Sequence, residues 1–169
     1  AVRLMVAEGD RVVTSAGGYP TFDFHVTGFG GTLDRVPYAA DRQDPAALVA
    51  RAAETGARMV YLCNPDNPMG GWHPPEVIEA AVAALPDDIL LILDEAYAEF
   101  APALPRIDPD DPRVLRMRTF SKAYGMAGAR IGWALGAPEV VRAFDRVRNH
   151  FGVNRIAQAG ALAALADGA

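Results

Sequence analysis

Short apolar runs rich in β-branched residues recur along this 169-residue chain, separated by stretches of helical length and spacing. That alternation restricts the chain to an α/β domain with a mainly parallel sheet, because parallel neighbours need long crossovers and helical crossovers cover the sheet faces. Strands are predicted at 11–14, 32–36, 59–63, 89–93, 114–118 and 131–135. Helices are predicted at 45–54 with Asp44 as N-cap, at 75–84 with proline in the first turn, and from Pro138 through Val147. The proline-rich, acidic stretch 101–112 reads as a surface loop, and Gly28-Phe29-Gly30-Gly31 as a turn. Residues 1–9 have helical spacing and lack the pattern of a signal peptide. The sequence opens as if partway through a helix and stops at Ala166-Asp167-Gly168-Ala169, inside an Ala-rich helical pattern. It is therefore expected to be a domain incomplete at both ends.

Composition narrows the function classes. With 51% hydrophobic residues the chain can bury one substantial core. Sixteen basic against 21 acidic residues, with no basic run, make nucleic acid an unexpected partner. No apolar run approaches the roughly 18 residues of a membrane span, so no membrane association is expected. One cysteine, Cys63, allows no internal disulfide, and the setting expected is cytoplasmic. His25, His73 and His150 lack metal-ligand or triad spacing, and Cys63 has no neighbouring histidine, so all four read as structural and no metal site is expected. Neither a GxxxxGK[ST] loop nor a GxGxxG turn is present.

Ligands of open parallel sheets bind outside the carboxyl ends of the strands. Four of the strand ends carry unusual residues: Ser15-Ala16-Gly17-Gly18-Tyr19-Pro20, Asn64-Pro65-Asp66-Asn67-Pro68-Met69-Gly70, Asp94-Glu95-Ala96-Tyr97 and Thr119-Phe120-Ser121-Lys122. If their strands are neighbours, all four border one cleft.

Asp94 follows five consecutive apolar residues, where a carboxylate needs a partner. The plainer alternative is a helix-capping carboxylate; the chemical one is a charge-assisted bond to a protonated heterocycle nitrogen. Lys122 is the only lysine, the other 15 basic residues being arginine. Arginine can supply surface charge, but it cannot become a neutral primary amine and attack an aldehyde. Chance retention is the competing explanation. Ser121 and Arg130, with Gly125 and Gly128 between them, could clamp a phosphate, although Arg130 could equally pair with a surface carboxylate. Tyr19 could stack on a planar ring or be an ordinary turn tyrosine.

Together these residues resemble the fold-type-I pyridoxal-phosphate (PLP) dependent aminotransferases of class I/II, nearest the histidinol-phosphate aminotransferase branch. The resemblance covers nearly the whole chain and rests on Asn-Pro-Asp-Asn-Pro-Met-Gly at 64–70, Asp-Glu-Ala-Tyr at 94–97, and Thr-Phe-Ser-Lys-Ala-Tyr-Gly-Met-Ala-Gly-Ala-Arg-Ile-Gly at 119–132. It implies a three-layer large domain over 1–150, with 151–169 starting the connection toward a small C-terminal domain that is absent. It implies Lys122 as the Schiff-base lysine and proton carrier; beside Arg130 and the cofactor cation, and partly desolvated in a cleft, its pKa is expected to be lowered toward the working range. Asp94 would hold the pyridine nitrogen, Asn67 and Tyr97 the phenolic oxygen, Ser121 and Arg130 the phosphate, and Tyr19 the ring face. Met69 departs from the family's usual threonine. The upstream phosphate-binding glycine turn and the small domain's substrate-binding arginine are lacking. The resemblance further implies an amino donor and a 2-oxo acid acceptor as substrates and a homodimer in the full-length protein. A decarboxylase or lyase on the same scaffold, or the PLP-sensing domain of a transcription regulator, would share these residues.

Overall fold

A computed structural model describes residues 1–167, so the helical continuation expected at Gly168 and Ala169 lies outside the described residues. The elements run α1 (Val2–Met5), β1 (Arg11–Ser15), α2 (Thr21–Gly28), β2 (Thr32–Val36), α3 (Pro45–Thr55), β3 (Met59–Cys63), α4 (Pro75–Ala83), β4 (Leu90–Asp94), β5 (Val114–Thr119), β6 (Gly132–Leu135), α5 (Pro138–Phe144) and α6 (Arg155–Ala166). One six-stranded sheet has the order β2-β1-β3-β4-β5-β6. All pairs are parallel except β5 with β6, which is antiparallel.

Side chains alternate across the strands, and both faces are covered. Val13, Val60, Leu62, Leu91, Leu93 and Val114 pack with Leu48, Val49 and Ala52 of α3 and Ile78, Ala81 and Val82 of α4. On the other face Val12, Met59, Tyr61, Cys63, Leu90, Ile92 and Leu115 meet Val2 of α1 and Val26 of α2, with Val140 and Phe144 of α5 alongside. Burial on both faces is why β3 and β4 read as unbroken apolar runs. Each fully buried leucine contributes about 1.5–3 kcal/mol.

Local chemistry sets the element ends. Asp44 accepts the Ala47 N–H at 3.0 Å, and Pro45 occupies the first turn of α3, as its sequence requires. Gly56 closes that helix in the left-handed region. At Gly132 a Cβ would lie 2.7 Å from the Arg118 carbonyl, so only glycine lets β6 approach β5.

Several boundaries differ from the sequence reading. β4 includes Asp94 as its last residue, so the carboxylate belongs to the strand. Residues 21–28 form α2, whose pattern is weak because Val26 is its one buried residue. α5 stops at Phe144 rather than running through Val147, and the terminal helix ends at Ala166, with Asp167 extended.

Candidate active site

Strand alternation sends Leu90, Ile92 and then Asp94 to the same face of β4. There Asp94 is partly buried and held by two donors. The Tyr61 hydroxyl donates to Oδ2 at 2.6 Å, and the Ala96 backbone N–H donates to Oδ1 at 3.0 Å. The second bond closes a turn two residues on and caps no helix, since the next helical turn, at 98–100, has Tyr97 at its N-cap and no side-chain capping bond. The two bonds leave lone pairs free, since a carboxylate has about four acceptor positions.

Tyr19, Asn67, Asp94, Tyr97, Ser121, Lys122 and Arg130 all line one cavity of about 510 Å³. They reach it from the carboxyl ends of β1, β3, β4 and β5. A groove of about 630 Å³ between α3 and α4 is larger, but alanines make up much of its wall and it contains none of these seven residues. Chemistry, not volume, distinguishes the site.

The loop between β5 and β6 carries Ser121, Lys122 and Arg130. Buried Phe120 anchors it, its ring packed 4.9 Å from that of Tyr124. A turn closes with the Gly125 N–H on the Lys122 carbonyl at 2.9 Å, and Gly125 adopts φ 65°. Arg130 also lies in the left-handed region, at φ 53°, a strained position for a residue with a side chain. Its guanidinium donates to the Ala127 carbonyl at 2.8 Å. The Asn67 amide donates to the Tyr97 hydroxyl at 3.2 Å. The Lys122 amine sits 5.1 Å from the centre of the Tyr97 ring.

This arrangement reverses one expectation. Interaction with Tyr97, chiefly hydrogen bonding, raises the Lys122 pKa above its ordinary value. The desolvation part of the expected lowering is small, because the side chain is exposed and burial is a minor influence.

The family model described as "Aminotransferase class I and II" matches residues 1–169. The chain belongs to the class I and II aminotransferases. It is 39% identical to the histidinol-phosphate aminotransferase of Erythrobacter litoralis, over 99% of this chain and 47% of that protein. It is 41% identical to the aromatic amino acid aminotransferase of Nocardia farcinica, over 79% of this chain and 39% of that protein. Among solved structures, histidinol-phosphate aminotransferase from Sinorhizobium meliloti, in complex with pyridoxal-5'-phosphate, superposes with a TM-score of 0.94 at 57% identity, over 98% of this chain and 46% of that one. The chain thus spans less than half the length of each of these relatives.

Two features of this aminotransferase chain escape sequence reasoning. Tyr61 reads as one more residue of an apolar strand, yet its hydroxyl reaches Asp94. A buried phenol normally finds a partner, and that rule was the one available signal. Glu95, 1% exposed, receives a two-pronged contact from Arg116 at 2.7 and 2.9 Å and a third bond from Arg118 at 3.2 Å. Arg118 also reaches Glu99 at 3.0 Å and lies 5.4 Å over the Trp133 ring. This network ties the strand end carrying Asp94 to β5.

Proposed function

We propose that this chain is the cofactor-binding part of a PLP-dependent aminotransferase. One observation carries the reading: the chain's only lysine and a strand-end carboxylate line the same cavity. The groups around that cavity suit the cofactor's own. A carboxylate complements a basic ring nitrogen, and Asn67 and Tyr97 offer an amide and a hydroxyl to the phenolic oxygen. Lys122 offers an amine to the aldehyde, while Ser121 and Arg130 offer a hydroxyl and a guanidinium to the phosphate. Tyr19 can cover the ring face.

Bound PLP supplies an electron sink for charge developing at the substrate Cα. With PLP in the cavity, Asp94 would hold a proton at the ring nitrogen, and Asn67 with Tyr97 would orient the phenolic oxygen. Lys122 would hold the cofactor through its amine and, once that amine is free, would carry a proton to and from the substrate Cα. The reaction is transfer of an amino group from an L-amino acid or amino-alcohol phosphate to a 2-oxo acid. The names of the histidinol-phosphate and aromatic amino acid relatives support those donor classes.

The same reading assigns residues 1–150 to a partial large domain and 151–169 to the start of the connection toward a small domain. It makes the full-length protein a cytoplasmic homodimer, which sedimentation checks for assembly. Incubating that protein with histidinol phosphate or an aromatic amino acid and 2-oxoglutarate tests the activity. Equal amounts of glutamate and the donor's oxo product are expected. Donor breakdown independent of the acceptor would instead indicate a lyase or decarboxylase.

A further inference from the structure

Asp94 can serve a ring nitrogen only if its carboxylate is both charged and correctly turned, and the residue that turns it lies on the neighbouring strand. We propose that Tyr61 is a positioning residue that fixes Asp94 toward the cofactor ring nitrogen, an inference that rests on the cofactor reading above. Tyr61 stands in the middle of β3, 8% exposed, on the face of the sheet to which Asp94 points. Its ring stacks on Phe22 of α2, with centroids 4.2 Å apart and planes 16° from parallel. That contact fixes the phenol axis, and its hydroxyl meets Asp94 Oδ2 at 2.6 Å.

The second oxygen is fixed independently by the Ala96 N–H at 3.0 Å. Two donors from rigid backbone and stacked ring therefore set the carboxylate plane, with lone pairs left over for the cavity. Burial and the charge of Asp94 push the Tyr61 phenol far above its ordinary range, so it keeps its proton and donates to the ionised carboxylate. Ile92 and Met117 border the same wall and solvate charge poorly. Removing the hydroxyl leaves Asp94 less able to hold its charge there. The proton shared with the ring nitrogen then moves toward the carboxylate, and the ring withdraws electrons less strongly.

Tyr61→Phe keeps the ring and its stacking partner, so it isolates the hydroxyl. The test uses the full-length holoenzyme carrying PLP labelled with ¹⁵N in the ring. In Tyr61→Phe the ¹⁵N resonance is expected to move from the protonated toward the unprotonated position. The kcat is expected to fall about tenfold, as loss of a hydrogen bond to a charged group implies, with KM within about twofold of wild type. In an Asp94→Asn background, adding Tyr61→Phe should change neither quantity, because the hydroxyl acts through the carboxylate. If Asp94→Asn abolishes the protonated signal while Tyr61→Phe leaves the resonance and kcat at wild type, the inference alone is overturned. Equal losses from Tyr61→Phe in both backgrounds would also overturn it, marking a structural role only. If Asp94→Asn itself leaves the ring nitrogen protonated and turnover unchanged, the cofactor reading fails and this inference with it.

Discussion

Asp94 reaches the cavity from the last position of β4, within a sheet covered on both faces, whereas Lys122 reaches it from an exposed turn beyond β5. The carboxylate has both oxygens engaged by fixed donors. The amine, on an exposed side chain, is influenced chiefly by Tyr97 and more weakly by Tyr19 and Asp94. The difference separates a group placed by strand register from one placed by an exposed turn. On the sheet side the charge is placed before any ligand arrives; on the loop side the electrostatics still belong largely to solvent.

The largest effect expected from breaking this contrast is on turnover. Asp94→Asn in the full-length enzyme should slow it by on the order of a thousandfold while leaving the fold intact, since an amide cannot keep the ring nitrogen protonated. Single-turnover kinetics check this, and a wild-type rate would leave Asp94 only its local bond from the Ala96 N–H. Next comes the support behind the sheet-side wall. Glu95→Ala leaves Arg116 and Arg118 without their shared buried carboxylate and should cost about 3–5 kcal/mol of stability, measured by urea unfolding. The smallest effect sharpens the loop side. Because Lys122 is the only lysine, selective lysine labelling gives a single side-chain NMR signal. In the cofactor-free chain that signal should titrate above the ordinary 10.5, and Tyr97→Phe should bring it back toward that value. Aldehyde capture needs the neutral amine, so the rate of PLP attachment to the apo chain should rise about tenfold for each pH unit between 7 and 9.

The sheet-side wall was the more legible half in sequence. Five apolar residues ending in Asp94 announce a strand buried on both faces that opens onto a carboxylate, and the lone lysine after Thr119-Phe120-Ser121 marks the second wall. Both follow from patterns local to one segment. What could not be read depends on register between segments. Tyr61 finds Asp94 only because β3 and β4 pair with Cys63 beside Asp94. Glu95 finds Arg116 and Arg118 only because β4 and β5 are neighbours. α2 was obscured for another reason: Phe24 is 68% exposed and Val26 alone is buried, so the segment has almost no apolar stripe to detect. The direction of the Lys122 pKa required knowing how exposed its turn is and where Tyr97 points, neither of which a motif encodes.

The proposed chemistry depends on Lys122 as the covalent anchor for PLP. Loading the full-length protein with PLP, reducing with borohydride and mapping the modified peptide by mass spectrometry locates that anchor. The expected result is cofactor mass on the peptide containing Ser121-Lys122, and its loss together with activity in Lys122→Arg, because a guanidinium stays protonated. Label found only elsewhere in a correctly folded enzyme, or wild-type turnover by Lys122→Arg, would rule out Lys122 as the anchor.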